Sequence, residues 1–323
     1  MPAAEWKIPR TAQPRPDDYA FDLDRTLGSV MALSSTVPKD AFTADTLGTE
    51  RAGNAVLIGE TGLILTIGYL VTEASAIWLS LNDDRVIGGD VLGYDPESGL
   101  GLVQALGRLD LKPIPLGDSA SVKVGDKVVV AGAGGRQRSV AARIIAKQEF
   151  AGYWEYLLEE AIFTSPPHPH WGGTALLSER GELLGIGSLQ LQQERSGTEE
   201  NLNMIVPIDL LKPILPSMLA TGSPRREIRP WLGIYATEID SRVVIAGLAD
   251  GGPADAAGLL VGDIVMGVAG EDVEALADLY RRVWSLGEAG VEVPLRVQRM
   301  GRLHEIKLTS TDRNRLLKRK ILH

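Results

Sequence analysis

Short apolar runs separated by turn-forming residues dominate the first two thirds of the chain. The clearest runs lie at 56–58, 63–66, 76–79, 128–131 and 183–186. Each is bounded by glycine, aspartate, asparagine or a Glu-Thr-Gly turn. This spacing of strands, with almost no helical periodicity, predicts a β-sandwich or β-barrels. A short helix is predicted only at 207–212, where proline, an early aspartate and a final lysine fit helix start and stop signals.

A different pattern follows the small, polar, turn-forming stretch 221–226, which predicts a domain boundary. Short strands are predicted at 231–234, 243–246 and 264–266, with a short helix at 254–257 that ends at a glycine. The segment 273–286 predicts an amphipathic helix, and two closing strands flank a Met-Gly turn. This pattern predicts a compact β-sheet unit with two helices.

Composition and charge exclude several classes of protein. The 323 residues carry 33 Lys and Arg against 42 Asp and Glu, and the net charge of −9 gives no support for nucleic-acid binding. The absence of cysteine excludes disulfides and thiolate chemistry. No window approaches the roughly 18 apolar residues of a membrane helix, and the first residues lack the apolar core of a signal peptide. These features predict a cytoplasmic protein with no membrane span.

Four stretches, in order along the chain, resemble the HtrA (Deg) family of trypsin-like serine proteases with PDZ domains. They are 53–66, 94–103, 171–186 and 204–215, and the unit after residue 221 resembles a PDZ domain. The resemblance implies a mainly β fold, a trypsin-like double β-barrel followed by a PDZ domain. It divides the chain into a loosely held N-terminal arm (1–24), a barrel domain (25–221), a PDZ domain (222–312) and a basic C-terminal tail (313–323).

The resemblance also marks where catalytic groups are expected. The family's histidine, aspartate and serine positions hold Tyr69, Gly99 and Trp171, and an oxyanion-hole N–H position holds Pro169, which has no N–H. On this basis the chain is predicted not to be an enzyme but a pseudoprotease, an inactive serine endopeptidase homologue.

Two other interpretations of the peptidase domain stay open. One is an active serine-type endopeptidase that uses Ser165 with His168 or His170, and the other is a structural subunit that co-assembles with an active protease. The His-x-His spacing also permits a metal site with Glu159 or Glu160 as third ligand, but the sequence supplies no further partners. No metal and no cofactor are predicted. The glycine-rich stretch 132–135 precedes a strand rather than a helix, which is typical of a barrel turn rather than a phosphate site.

The PDZ-like unit keeps the parts that such domains use to bind peptides. Backbone N–H groups of the carboxylate-binding loop capture a peptide's C-terminal carboxylate, an edge strand pairs with the peptide, and a helix forms the opposite wall. The predicted groove residues are Trp231, Leu232, Gly233, Ile234, Tyr235, Leu276, Tyr280 and Val283. The predicted function is therefore that of an adaptor or regulator that binds protein C-termini or exposed apolar segments. The alternative is that these residues serve only the domain's core.

Two aromatic segments suggest further contacts. Tyr19, Phe21 and Leu23 are candidate anchors for a homotrimer, as the resemblance implies, although their alternation also fits a barrel strand. The segment 149–160 concentrates Phe150, Tyr153, Trp154 and Tyr156. It is predicted either to form a local hydrophobic cluster or to join Trp171 in filling the former substrate cleft.

Overall fold

The computed structural model describes residues 6–195 and 198–318 and separates them into two compact units. The first, the peptidase unit, contains residues 6–148, 160–195 and 198–225. The second, the PDZ unit, contains residues 226–318 together with the distant segment Glu149–Glu159. No helix in the described ranges is long and apolar enough to cross a membrane.

The peptidase unit begins with a closed six-stranded antiparallel barrel, in the order β1-β2-β3-β6-β5-β4. Its strands are β1 (Val30–Thr36), β2 (Glu50–Gly59), β3 (Leu63–Ile67), β4 (Ala76–Ser80), β5 (Val86–Tyr94) and β6 (Leu100–Ala105). Buried aliphatic side chains such as Leu33, Ile64 and Leu102 fill it, as the short apolar runs predict.

A second closed barrel follows, in the order β10-β11-β12-β9-β8-β7. Its strands are β7 (Lys127–Ala131), β8 (Ser139–Gly152), β9 (Tyr156–Ser165), β10 (Ala175–Leu177), β11 (Leu183–Arg195) and β12 (Thr198–Pro207). Asn54 of the first barrel joins the two, because its side chain accepts the N–H of Ala133 and donates to the carbonyls of His170 and Gly172. The predicted double β-barrel is confirmed.

Short helices flank the barrels: α1 (Leu23–Leu27), α2 (Ala44–Leu47) and α3 (Leu215–Thr221). The helix predicted at 207–212 is only a 3₁₀ turn, Ile208–Leu210, because Pro213 disfavours helical geometry at the residue before it. The helix starts later, at α3, with a proline in its first turn.

The described part of the N-terminal arm is anchored near its start by Trp6 and Ile8, which corrects the expectation of a loosely held segment there, while residues 15–18 are exposed. Ile8 is 6% exposed in the core of the second barrel, and the Trp6 ring lies against the rings of His168 and His170. Leu23, a predicted trimer anchor, is buried within its own chain and is therefore not available as one.

The PDZ unit is a six-stranded sheet with two helices, as predicted. Its strands are β13 (Ile234–Ile239), β14 (Arg242–Leu248), β15 (Ile264–Val268), β16 (Glu271–Asp272), β17 (Glu292–Arg299) and β18 (Arg302–Thr309), with helices α4 (Pro253–Ala256) and α5 (Leu276–Ser285). The buried face of α5 packs in the domain core. The predicted strand 231–234 is wrong at its start, because β13 begins only at Ile234 and the residues before it form a loop.

Candidate functional site

The structure brings the three predicted triad positions together in the peptidase unit. The Tyr69 hydroxyl donates to the carbonyl of Ser188 at 3.0 Å, and the Trp171 side chain lies close to that hydroxyl. The N–H of Gly68, next to Tyr69, donates to the carbonyl of Gly99 at 2.6 Å. Burial raises the pKa of Tyr69 above its usual range, so the phenol is neutral and holds its proton at ordinary pH.

The alternative serine and histidine set is not assembled into a dyad. His168 is buried, its Nδ1 accepts the backbone N–H of His170 at 3.1 Å, and its Nε2 therefore donates to the carbonyl of Arg138 at 2.8 Å. Both ring nitrogens are engaged in this way, and burial lowers the pKa of His168. Within the described ranges, the hydrogen bonds of the two histidines go to Asn54, Asn203, Arg138 and each other rather than to Ser165. The part of the chain that the structure describes also holds no group of three or more side chains suited to bind a metal ion.

In the PDZ unit, three consecutive backbone N–H groups converge on one carboxylate. The N–H groups of Leu232, Gly233 and Ile234 donate to the Glu155 carboxylate at 2.9, 2.7 and 3.0 Å. We call these three N–H groups the nest. Gly233 has a φ of +79°, a left-handed conformation that favours glycine and that turns successive N–H groups toward one point.

The carboxylate belongs to the tip of the β8–β9 hairpin, which lies along the edge strand of the PDZ sheet. β13 is an outer strand of the sheet, and the N–H of Ala236 in β13 donates to the carbonyl of Tyr153 at 2.9 Å. The hydroxyl of Tyr280 in α5 donates to the carbonyl of Gly152 at 2.8 Å and accepts the N–H of Glu155 at 3.2 Å. The hairpin tip is thus held between β13 and α5, the two walls of the predicted groove.

The four aromatic residues of this hairpin form a cluster at its tip. Trp154 stacks on Tyr156, with Phe150 and Tyr153 beside them, and Tyr153 also contacts Tyr235 of the PDZ unit. A local cluster is the interpretation that this arrangement supports.

Burial dominates the electrostatics of Glu155. It raises the pKa of this carboxyl to about 7, whereas the three hydrogen bonds of the nest and the charge of Arg313 lower it. The hydroxyl of Tyr280 also faces Glu155, and burial together with that carboxylate raises the pKa of Tyr280 above its usual range.

Five of the predicted groove residues are buried in the core of the PDZ unit, so their use as a peptide groove stays a prediction. Leu276, Tyr280 and Val283 lie on the buried face of α5, and Leu232 and Ile234 belong to the same core. Trp231 is buried and pairs with Thr311 rather than lining the nest. Sequence reasoning missed Glu155, although the aromatic-rich segment around it was an available signal.

Comparison with protein families agrees with this architecture. Residues 53–186 match the family described as "Trypsin-like peptidase domain", and residues 230–309 match "PDZ domain".

Curated relatives match over most of the chain. A "Probable periplasmic serine endoprotease DegP-like" from Pseudomonas fluorescens is 29% identical over 273 residues, which cover 80% of this chain and 56% of the relative. A protein of the same name from Halomonas elongata is 28% identical, with the same coverage. The chain therefore spans little more than half the length of these relatives.

Solved structures show the same fold at lower identity. "HtrA-type protease AlgW with tripeptide" has a TM-score of 0.53 and 22% identity, covering 92% of this chain and 97% of that one. "Crystal structure of the serine endoprotease from Yersinia pestis" has a TM-score of 0.53 and 20% identity, covering 95% and 99%.

These relatives correct two predictions from the sequence. They are named serine endoproteases, so the prediction that the chain is a pseudoprotease and not an enzyme is wrong by this comparison. They are also named periplasmic, which contradicts the predicted cytoplasmic location. The matches to both domain families and the shared fold bear out the resemblance: this chain carries a trypsin-like peptidase domain followed by a PDZ domain, and it is similar to HtrA and DegP-like proteins.

Proposed function

We propose that this HtrA-like chain, placed in the periplasm like its named relatives, binds proteins by their C-terminal carboxylate in the PDZ groove. The observation that carries the proposal is the nest, in which three backbone N–H groups already hold the side-chain carboxylate of Glu155. A peptide terminus presents the same chemical group, and backbone nests bind it by the same hydrogen bonds.

The groove next to the nest favours an extended peptide with an apolar last residue. The outer edge of β13 can pair with an added main chain, as the N–H of Ala236 illustrates by donating to the carbonyl of Tyr153. The facing helix carries Leu276 and Val283 on its apolar side, where both are buried. Main-chain pairing supplies affinity in this binding mode, and the side-chain pocket supplies specificity.

Calorimetric titration of the full chain tests the proposal. The probes are decapeptides that are identical except for a last residue of Ala, Val, Leu, Ile, Met or Phe, each as the free acid and as the C-terminal amide. We expect at least one free acid to bind and its amide to bind at least about tenfold more weakly, because charge-assisted hydrogen bonds contribute about 1.5–3 kcal/mol. Equal affinities for acid and amide would contradict the role of the nest.

Endopeptidase activity is a second candidate function, and the names of the curated relatives favour it. Incubation of the purified chain with unfolded casein, followed by mass spectrometry of fragments, tests this function. Fragments that disappear in the Ser165→Ala chain would identify that hydroxyl as the nucleophile, whereas fragments that persist would place the nucleophile elsewhere. A complete lack of fragments, beside an active relative and with C-terminal peptides added, would count against endopeptidase activity.

A further inference from the structure

The hairpin tip makes, within one chain, the contacts that a PDZ groove makes with a separate peptide. We propose that residues 152–155 are a built-in ligand of this PDZ domain, in which the Glu155 side chain replaces a terminal carboxylate and must leave before a peptide C-terminus can bind. This inference rests on the proposed function, since it concerns the regulation of the same nest.

Two kinds of contact support the comparison with a bound peptide. The carboxylate takes all three N–H groups of the nest, with Gly233 and Ile234 donating to the same oxygen. The main chain behind it pairs with the edge of β13 through Tyr153 and Ala236. Carboxylate capture together with an added main-chain segment is the combination by which PDZ domains recognise a terminus.

The backbone of the tip is shaped to deliver that side chain. Glu155 has a φ of +59°, a left-handed conformation that costs a side chain such as glutamate roughly 1–2 kcal/mol. A turn needs no glutamate at such a position, because glycine or asparagine adopts it at lower cost. Glutamate instead supplies a carboxylate that reaches the nest.

Further contacts hold the hairpin beside the groove. Arg281 of α5 forms ion pairs with both Glu149 and Glu159, one on each strand of the hairpin. These pairs are exposed and contribute little energy individually, but they orient the hairpin toward α5. The Tyr280 hydroxyl adds two hydrogen bonds to the tip itself.

Competition follows from the geometry. The nest has three N–H groups and Glu155 uses all of them, so a second carboxylate has no donors until the tip moves away. The measured affinity for a peptide is then the intrinsic affinity reduced by the fraction of molecules with an open groove. An opening fraction of about one tenth would reduce it about tenfold.

The test compares peptide affinities of four full-length chains by calorimetry, with the six free-acid decapeptides and their amides as probes. The chains are wild type, Glu155→Ala, Glu155→Gln and the control Glu160→Gln. Glu160 lies on the same hairpin but is exposed and pairs with Lys147 rather than with the nest. Glu155→Gln keeps the shape of the side chain, so the comparison remains informative if Glu155→Ala lowers stability.

We expect free acids to bind Glu155→Ala about tenfold or more tightly than wild type, Glu155→Gln to show a gain in the same direction, and Glu160→Gln to match wild type. If free acids bind all four chains with equal affinity and amides bind more weakly, the built-in ligand is overturned while the proposed function stands. If neither wild type nor the Glu155 variants distinguish acid from amide, the proposed function itself fails, and the inference fails with it.

Discussion

The surroundings of Glu155 change the pKa of its carboxyl group. Its carboxyl group accepts hydrogen bonds from three N–H groups and lies near the charge of Arg313, yet its burial outweighs these groups, which stabilise the charge. The consequence is a group that changes its charge near neutral pH rather than in acid.

Stability should therefore depend on pH through Glu155. Its pKa is about 7 in the folded chain and 4.5 for an ordinary glutamate, so the folded state binds an additional proton between these values. The favourable contribution is complete below about pH 4.5 and is lost as pH rises through 7. We expect the free energy of unfolding of wild type, relative to Glu155→Gln, to fall as pH rises through this interval and to become level only once the folded carboxyl group is fully ionised, above pH 7.

Denaturant unfolding of both chains at intervals between pH 4.5 and 8 provides the measurement, and the Glu155→Gln chain cancels the titration of all other groups. A difference that rises with pH would contradict the raised pKa of Glu155, because it would mean that this carboxyl group has a lower pKa in the folded chain than in the unfolded chain.

At the scale of elements, one hydroxyl group connects α5 to the β8–β9 hairpin by hydrogen bonds. The Tyr280 side chain is 1% exposed, and its hydroxyl joins α5 to Gly152 and Glu155. Tyr280→Phe keeps the ring and removes both hydrogen bonds, so we expect the PDZ unit to lose about 1–3 kcal/mol of stability. Free-acid peptides should bind this variant several-fold more tightly than wild type, as measured by calorimetry. An affinity below that of wild type would indicate that Tyr280 binds the peptide rather than the hairpin.

The join between the two barrels depends on a glycine. Gly173 has a φ of +76°, and a Cβ atom there would lie 1.8 Å from the carbonyl oxygen of Asn54. We expect Gly173→Ala to destabilise the peptidase unit by about 3 kcal/mol or more, from conformational strain and overpacking together.

Thermal unfolding of the full chain measures this loss, with Gly135→Ala as the matched control. Gly135 also has a positive φ, +68°, but no atom within 4 Å of its Cβ position, so this variant reports strain alone. Equal losses in the two variants would show that the contact with Asn54 relaxes without cost.

Sequence patterns predict the strands and helices of this chain better than they predict the contacts between elements that are far apart in the sequence. The apolar runs at 128–131 and 183–186 correspond to strands because three or four successive apolar residues between turns have few other ways to be buried. The amphipathic stripe with Leu276, Leu279 and Val283 likewise became α5. Local pattern was sufficient in both cases.

The carboxylate of Glu155 could not be placed in the same way. Its partners at 232–234 are more than seventy residues away, and no periodicity links a hairpin tip to a glycine loop in another domain. The four aromatic residues near it marked the segment as unusual, but aromatic side chains cluster for many reasons. The prediction therefore identified the loop that binds a carboxylate and missed the carboxylate that it holds.

At the scale of the whole molecule, the chain joins a peptidase unit to a PDZ unit that includes a hairpin from the second barrel. The sequence-based conclusion about activity was drawn from Tyr69, Gly99 and Trp171, whereas the relatives are named endoproteases. Those three positions do lie together in the structure. The residues at three positions therefore do not by themselves predict whether a chain of this fold is a protease.

Amide hydrogen exchange at Leu232, Gly233 and Ile234, resolved by NMR, tests the central claim that this nest is a carboxylate site. We expect these three amides to exchange slowly in wild type and faster in Glu155→Ala. A free-acid decapeptide that binds should restore slow exchange in the Glu155→Ala chain, and its amide should not. Equal exchange in both chains, unchanged by the free acid, would contradict the claim.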